Sequence, residues 1–474
     1  MDGLKKLTLI SFFICTMVIC ISCSREEEVI TNQEPITAEV SQDINVVENI
    51  SVIEERSDRD KDWEEDINYI VKILLKIGGG HPLLVDYPTY IQTERSYFTG
   101  DYTSKIGKFY DETLRERFMQ KIDTLLFNIP QLEDYEIEYG LHEAIAILND
   151  LHTSIFLYSE IYPFFFTPFY EEGIQFFVTR VTEGAEDLLY SRLEEINGVS
   201  VEEILEQFKK IVPYENEYNF TSSVSYTYLS FHRALQYIGV VNDKGAEFTF
   251  IDRDGSRKTV YKEPISIEEK GSIEWVTQEY SGTLEFSKQY PEKNYWYEYL
   301  ADKDIIYMRY RRCRTDEDIT FWNWFQELTE VIKDKNGVSK VVMDVRGNTG
   351  GYVPAYYGNM IQWLKNNKDL VNGIDLLIDE GTYSAGIIFS SLLKKNVDYV
   401  TMIGNGGGQS PNFFAGVSSY VSPRLNISLS VSKDFINAWP EYEEETLMPD
   451  ILITPTIEDY MNNIYTVLEA VLNE

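Results

Sequence analysis

"KVVMDVRGNTGG", residues 340–351, decides the fold. Val341-Val342-Met343 is an apolar run without polar alternation, the pattern of a strand buried on both faces of a parallel sheet. The run ends at Asp344-Val345-Arg346 and breaks into Gly347, Gly350 and Gly351. A helical pattern follows over 354–366, so the glycines mark a strand-to-helix turn. Glycine lets the backbone turn sharply and turn its N–H groups outward. Such groups at a helix N-terminus stabilise an anion, including the oxyanion of acyl transfer. A turn that merely needs glycine fits the same residues.

The neighbouring sequence repeats the alternation. "DIIYMRY" reads as a strand and 318–334 as a helix; "IDLLID" reads as a strand, 384–395 as a helix and "YVTMIG" as a strand. This predicts an α/β layer structure with largely parallel strands. Upstream, 160–265 is β-rich, with "GIQFFVTRV", a tight turn at Ile196-Asn197-Gly198, a short helix, and "EFTFIDRDGSRKTVYKE" turning at Asp254-Gly255. The aromatic cluster "YPFFFTPFY", 162–170, suits a core or a groove wall. Before it, helical patterns begin near Asp62 and stop at Gly78-Gly79, and recur over 138–149.

At 474 residues the chain is long for one domain, and 43% hydrophobic and 14% aromatic content can bury a sizeable core. The formal net charge of -36 predicts repulsion from nucleic acid and anionic surfaces, so no nucleic-acid partner is expected. Residues 1–22 read as a secretory signal: Lys5 and Lys6 precede an apolar stretch from Leu7 to Ile21. That stretch spans about 22 Å as a helix, too short for a membrane crossing. "CISC" at its end looks like a bacterial lipoprotein signal with Cys23 lipidated, although Cys20 stands where leucine is usual. The acidic segment 23–60 reads as a solvated tether. With Cys15 and Cys20 removed and Cys23 lipidated, Cys313 is alone, which excludes an intramolecular disulfide framework.

Two further stretches carry candidate chemistry. In "IDEGTYSAG", 378–386, Ser384 opens a predicted helix. Serine there is commonly an N-cap, but a nucleophile also profits from the helix dipole and the next N–H. The G-x-S-x-G elbow is not met, because Thr382 takes the first glycine's place. A serine nucleophile needs a base, and the chain has four histidines: His81, His142, His152 and His232. His152, in "LNDLHTS", follows a predicted helix. His142-Glu143 fails the H-E-x-x-H pattern because residue 146 is Ala. No Cys/His cluster is present, so neither metal nor cofactor is expected.

"DVRGNTGG", "DEGTYSAG", the D-x-H-T segment "NDLHT" and a closing "PDILITPT" occur in order over residues 148–456. Together they resemble the S41 serine peptidases, the family of carboxyl-terminal processing and tricorn-type proteases. The resemblance implies a ClpP/crotonase-like α/β catalytic core (266–474), a helical N-terminal segment (61–159) and a β-rich PDZ-like domain (160–265). It implies a peptide or protein substrate, Ser384 as nucleophile, and the N–H groups of Gly351 and Ala385 as oxyanion hole. The processing branch uses a lysine as base, but no lysine lies between Lys395 and Lys433, and Gln409 stands near its position. The tricorn-like branch uses a histidine, matched by His152. A glutamate six residues before the closing Pro-Asp would be Glu443. The serine expected before the histidine is Leu151, leaving Asp150 or Thr153 as alternatives for orienting it. A fold that keeps peptide binding but has lost catalysis is the competing expectation. In either case the protein is expected to be exported and lipid-anchored in the bacterial cell envelope.

Overall fold

The computed structural model describes residues 4–8, 56–99, 105–156, 160–266, 274–352 and 357–473. Cys23, the remainder of the predicted signal and most of the tether lie outside them. Leu4–Thr8, within the predicted signal, is described as a strand antiparallel to Glu274–Gln278. No helix among the described residues is long and apolar enough to cross a membrane.

The Lys340–Asp344 strand lies inside a six-stranded sheet. Across the sheet the order is Tyr295–Leu300, Ile305–Tyr310, Lys340–Asp344, Ile374–Ile378, Val400–Gly404 and Ile451–Leu452. The first two strands are antiparallel and every later pair is parallel. The helices Phe321–Asp334, Tyr357–Asn366 and Ala385–Asn396 form the crossovers. Successive side chains of a strand point to opposite faces. Ile306, Met308, Val341 and Met343 therefore pack with the crossover helices. Ile305, Tyr307 and Val342 pack instead against Val467, Leu468 and Val471 of the Thr466–Leu472 helix. Burial on both faces explains the unbroken apolar runs.

The β-rich region forms a second sheet around its own core. Phe164–Glu171 pairs with Gly173–Thr182, and the Arg192–Ile196, Ala246–Ile251 and Arg257–Lys262 strands follow. Asn197 at φ +50° and Gly198 at φ +77° make the tight turn predicted from Asn-Gly, and Gly255 turns at φ +81°. Tyr162, Phe164, Phe166 and Phe169 are buried, so the aromatic cluster is core.

The three long N-terminal helices are Asp58–Leu74, Glu112–Asn128 and Asp134–Ala146. The first begins four residues before the expected Asp62. Ser57 accepts the Asp60 N–H, and the Asp60 side chain accepts from the Ser57 N–H. That reciprocal cap satisfies donors that would otherwise be orphaned. Ile67, Ile70, Phe118, Ile122, Leu141 and Ile145 pack these helices onto Leu429 and Val431 of a small sheet. In that sheet Ser154–Phe156 pairs with Ser428–Val431. The loop carrying His152 is thus pinned at both ends, by a helix and by a strand.

Glu138 faces inward from the third helix at 8% exposure. Burial pushes its carboxyl up from 4.5 to about 8. The folded value exceeds the unfolded one, so its stabilising effect is complete below about 4.5 and lost as pH rises through about 8. Glu138→Gln is expected to flatten the decline in thermal midpoint between pH 5 and 8.5 by a few degrees, measured by calorimetry.

Candidate active site

Asp344 ends the central strand and holds Arg346 across the start of the glycine turn. Both are buried, and the contact is bidentate, Nε to Oδ1 at 2.8 Å and Nη2 to Oδ2 at 2.6 Å. Tyr307 Oη donates to Oδ2 at 2.6 Å. Arg309 donates to the carbonyls of Asp344 and Arg346. Burial opposes the Asp344 charge, but the flanking Arg346 and Arg309 hold its carboxyl well below the usual range. The Arg346 guanidinium also lies 3.6 Å above the Tyr465 ring.

The turn is then stitched to the serine loop. Gly347 N–H donates to Asp379 Oδ1 at 2.7 Å, and Thr382 Oγ1 donates to the Val345 carbonyl at 3.1 Å. Tyr383 N–H donates to the Asn348 carbonyl at 3.0 Å. The Asn348 amide donates to the Tyr310 carbonyl and accepts from Gly350 N–H. Gly350 lies at φ +94°; a Cβ there would stand 2.7 Å from Ser384 Cβ and 2.8 Å from Ala385 N. The glycine turn and the serine are therefore in contact.

Ser384 sits before the Ala385–Asn396 helix at φ +53°, ψ -122°, and its side chain makes no capping hydrogen bond. A non-glycine residue there is strained, and such strain gathers at functional sites. Its Oγ stands 3.0 Å from His152 Nε2, and both residues are buried. Thr382 thus replaces the first glycine of the elbow pattern without preventing an elbow geometry. Ser384 N–H donates to Gln409 Oε1 at 2.7 Å.

Behind the imidazole, three oxygens surround Nδ1. Tyr383 Oη is at 3.0 Å, Asp150 Oδ1 at 3.7 Å and Glu215 Oε1 at 3.8 Å. Tyr383 Oη donates to Glu215 Oε1 at 2.8 Å, and so does the Gln409 amide at 2.8 Å. The ring also stacks on Phe413 at 5.7 Å between centroids. Asp150 accepts the His152 N–H and meets His81 Nε2 at 3.1 Å. These contacts with His152 and His81 outweigh its burial and lower the Asp150 carboxyl. Burial, with Asp150 adjacent, pushes Glu215 up to about 8. Donor atoms of Asp150, His152 and Glu215 lie within 4.8 Å of one another, a spacing a divalent ion can bridge. Tyr383 and His81 already engage that set.

Of the predicted residues, the structure brings together Ser384, His152 and Ala385, with Gly350 of the glycine turn against the serine; Gly351 lies beside Cys313. Glu443 is not beside His152: it lines a cavity of about 340 Å³ next to Asp150 and Glu215, within the acidic run 443–445. The carboxylate nearest Nδ1 after Asp150 is Glu215, and counting back from Pro449 could not find it because it comes from the β-rich region. Thr153 is also elsewhere, accepting the Ser432 N–H. His142 is stacked on Tyr139, and burial lowers it to about 4. His232 meets the Tyr162 hydroxyl.

No protein-family model and no curated protein matches the chain. Solved structures do. Mature CPAF in complex with lactacystin is 13% identical, with 87% of this chain and 97% of that chain covered and a TM-score of 0.55. A second structure of mature CPAF is 14% identical over 87% and 96%, with a TM-score of 0.52. A putative S41 protease from Bacteroides fragilis also matches, at 14% identity over 72% and 90% and a TM-score of 0.32. The chain has the α/β fold of CPAF.

Gly350→Ala is expected to cost more than Gly347→Ala. At Gly347, φ +63°, a Cβ meets nothing within 4 Å, so only the left-handed backbone is penalised, by about 1–2 kcal/mol. At Gly350 the collision with Ser384 adds to a similar penalty. Thermal unfolding of the two variants gives the order.

Proposed function

We propose that the chain is a serine peptidase. Ser384 Oγ attacks a peptide carbonyl while His152 Nε2 takes its proton. The oxyanion is received by the N–H groups of Gly351 and Ala385. The C–N bond breaks as His152 returns the proton to the leaving amine, and water, deprotonated by the same imidazole, releases the acyl group. The observation that carries this reading is the 3.0 Å approach of Ser384 Oγ to His152 Nε2, made by a serine in a strained backbone that caps nothing. The contact of Gly350 with Ala385 supports the oxyanion site, because it brings the glycine turn to the nucleophile. The four ordered motifs support peptide as substrate rather than another acyl donor.

The competing reading, a binding protein that keeps the fold without catalysis, draws on Leu151 and on the missing lysine. Tyr383 and Gln409 answer both points: one brings a hydroxyl to His152 Nδ1, the other ties the serine loop to Glu215. In the proposed organisation, a helical unit (61–159) carries the base, 160–265 is PDZ-like, and 266–474 is catalytic. A lipid on Cys23 and the tether 23–60 anchor the exported enzyme to a membrane of the bacterial cell envelope.

A fluorophosphonate probe is expected to label the wild-type chain on Ser384 and to leave Ser384→Ala unlabelled. His152→Ala should label about 10²–10⁴ times more slowly. A folded wild type that stays unlabelled would remove the peptidase reading in favour of the binding protein.

A further inference from the structure

A neutral imidazole that accepts at Nε2 carries its proton on Nδ1, and a partner of Nδ1 sets that tautomer. Around His152 Nδ1, Asp150 at 3.7 Å and Glu215 at 3.8 Å are beyond hydrogen-bond reach. The Gln409 Nε2 is at 3.5 Å but is itself a donor. Tyr383 Oη, at 3.0 Å, is the acceptor within reach, and its own proton goes to Glu215 Oε1 at 2.8 Å.

Resting on the peptidase reading, we propose that Tyr383 and Glu215 are the positioning residues of this site. The phenol accepts the His152 Nδ1 proton and donates to the Glu215 carboxyl oxygen, so the acid orients the base through a tyrosine.

Glu215 is built in for this position. Its Oε1 accepts from Tyr383 Oη, from the Gln409 amide at 2.8 Å and from Leu151 N–H at 3.3 Å. The next residue, Asn216, caps the Glu217–Tyr226 helix through its side-chain oxygen. The amide of Asn216 donates to the carbonyls of Gly407 and Glu445, clamping the segment to the catalytic core. Gln409 joins the two ends of the relay, since its oxygen takes Ser384 N–H and its amide holds Glu215. The tyrosine directly before the nucleophile and a carboxylate from the β-rich region thus meet at one imidazole nitrogen.

Two readouts on the full chain test the relay. The first is the second-order rate of fluorophosphonate labelling. Tyr383→Phe is expected to lower it by about tenfold or more, because the tautomer loses its acceptor. Glu215→Gln, which keeps an acceptor oxygen in place, should lower it less. The double variant should be no slower than Tyr383→Phe, as groups acting in one chain are not additive. Thermal midpoints are measured alongside to separate this from unfolding. The second is ¹⁵N NMR of histidine-labelled protein, with the His152 signal identified by its loss in His152→Ala. The neutral wild-type ring should carry its proton on Nδ1, and Tyr383→Phe should mix the tautomers. A wild-type proton on Nε2, or a Tyr383→Phe variant with unchanged tautomer and labelling rate, would overturn the proposal. A Tyr383-dependent Nδ1–H in a chain that never labels would uphold the positioning and defeat the peptidase reading instead.

Discussion

The backbone of Ser384 is the constraint on which the site depends. At φ +53° an L-residue is strained, so the surrounding structure must hold it there. The holding comes from several directions. Ser384 N–H is taken by Gln409, Tyr383 N–H by the Asn348 carbonyl, and Gly350 backs the serine at a distance no side chain could share. A relaxed serine at a helix start would use its hydroxyl as a cap. This one is turned away from the cap, and its hydroxyl is left for the imidazole.

Those restraints rest in turn on the end of the central strand. The Asp344–Arg346 pair is buried, and burying a charge is costly unless it is paired and hydrogen-bonded. Tyr307, Arg309 and the Tyr465 ring complete the pairing from the neighbouring strand and the C-terminal region. The turn following such an anchored strand has little freedom, so the backbone of Gly347 to Gly350 meets the serine loop in one arrangement. Rigidity there costs a buried ion pair, and its return is precise placement of Ser384.

Much of this was legible in the residues. The α/β core could be read because its strands are buried on both faces and its helices carry periodic apolar stripes. Ser384 and His152 stood out because few residue types supply a nucleophile and a base. What could not be read was the partner of Nδ1. Glu215 is an acid among 78 acidic residues, in a region whose local pattern speaks only of strands and a capped helix. Tyr383 lies inside "DEGTYSAG", but an aromatic beside a serine reads as packing until its hydroxyl is located. The family spacing leads to Glu443, and a count along the chain carries no information about a side chain arriving from another sheet. The early start of the first helix was missed for a smaller reason: the Ser57–Asp60 cap precedes the first apolar residue of the periodic pattern.

His152, Glu215 and Ser384 lie far apart along the chain. The imidazole meets the serine across 232 residues, and the tyrosine meets the carboxylate across 168. Contacts of such separation close late, after most of the loop entropy between them has been lost. A polypeptide still leaving the ribosome has made its histidine and glutamate long before its serine. A chain grown only part-way to Ser384 therefore cannot form this contact, and in the finished protein the serine meets the imidazole only when the distant segments have docked.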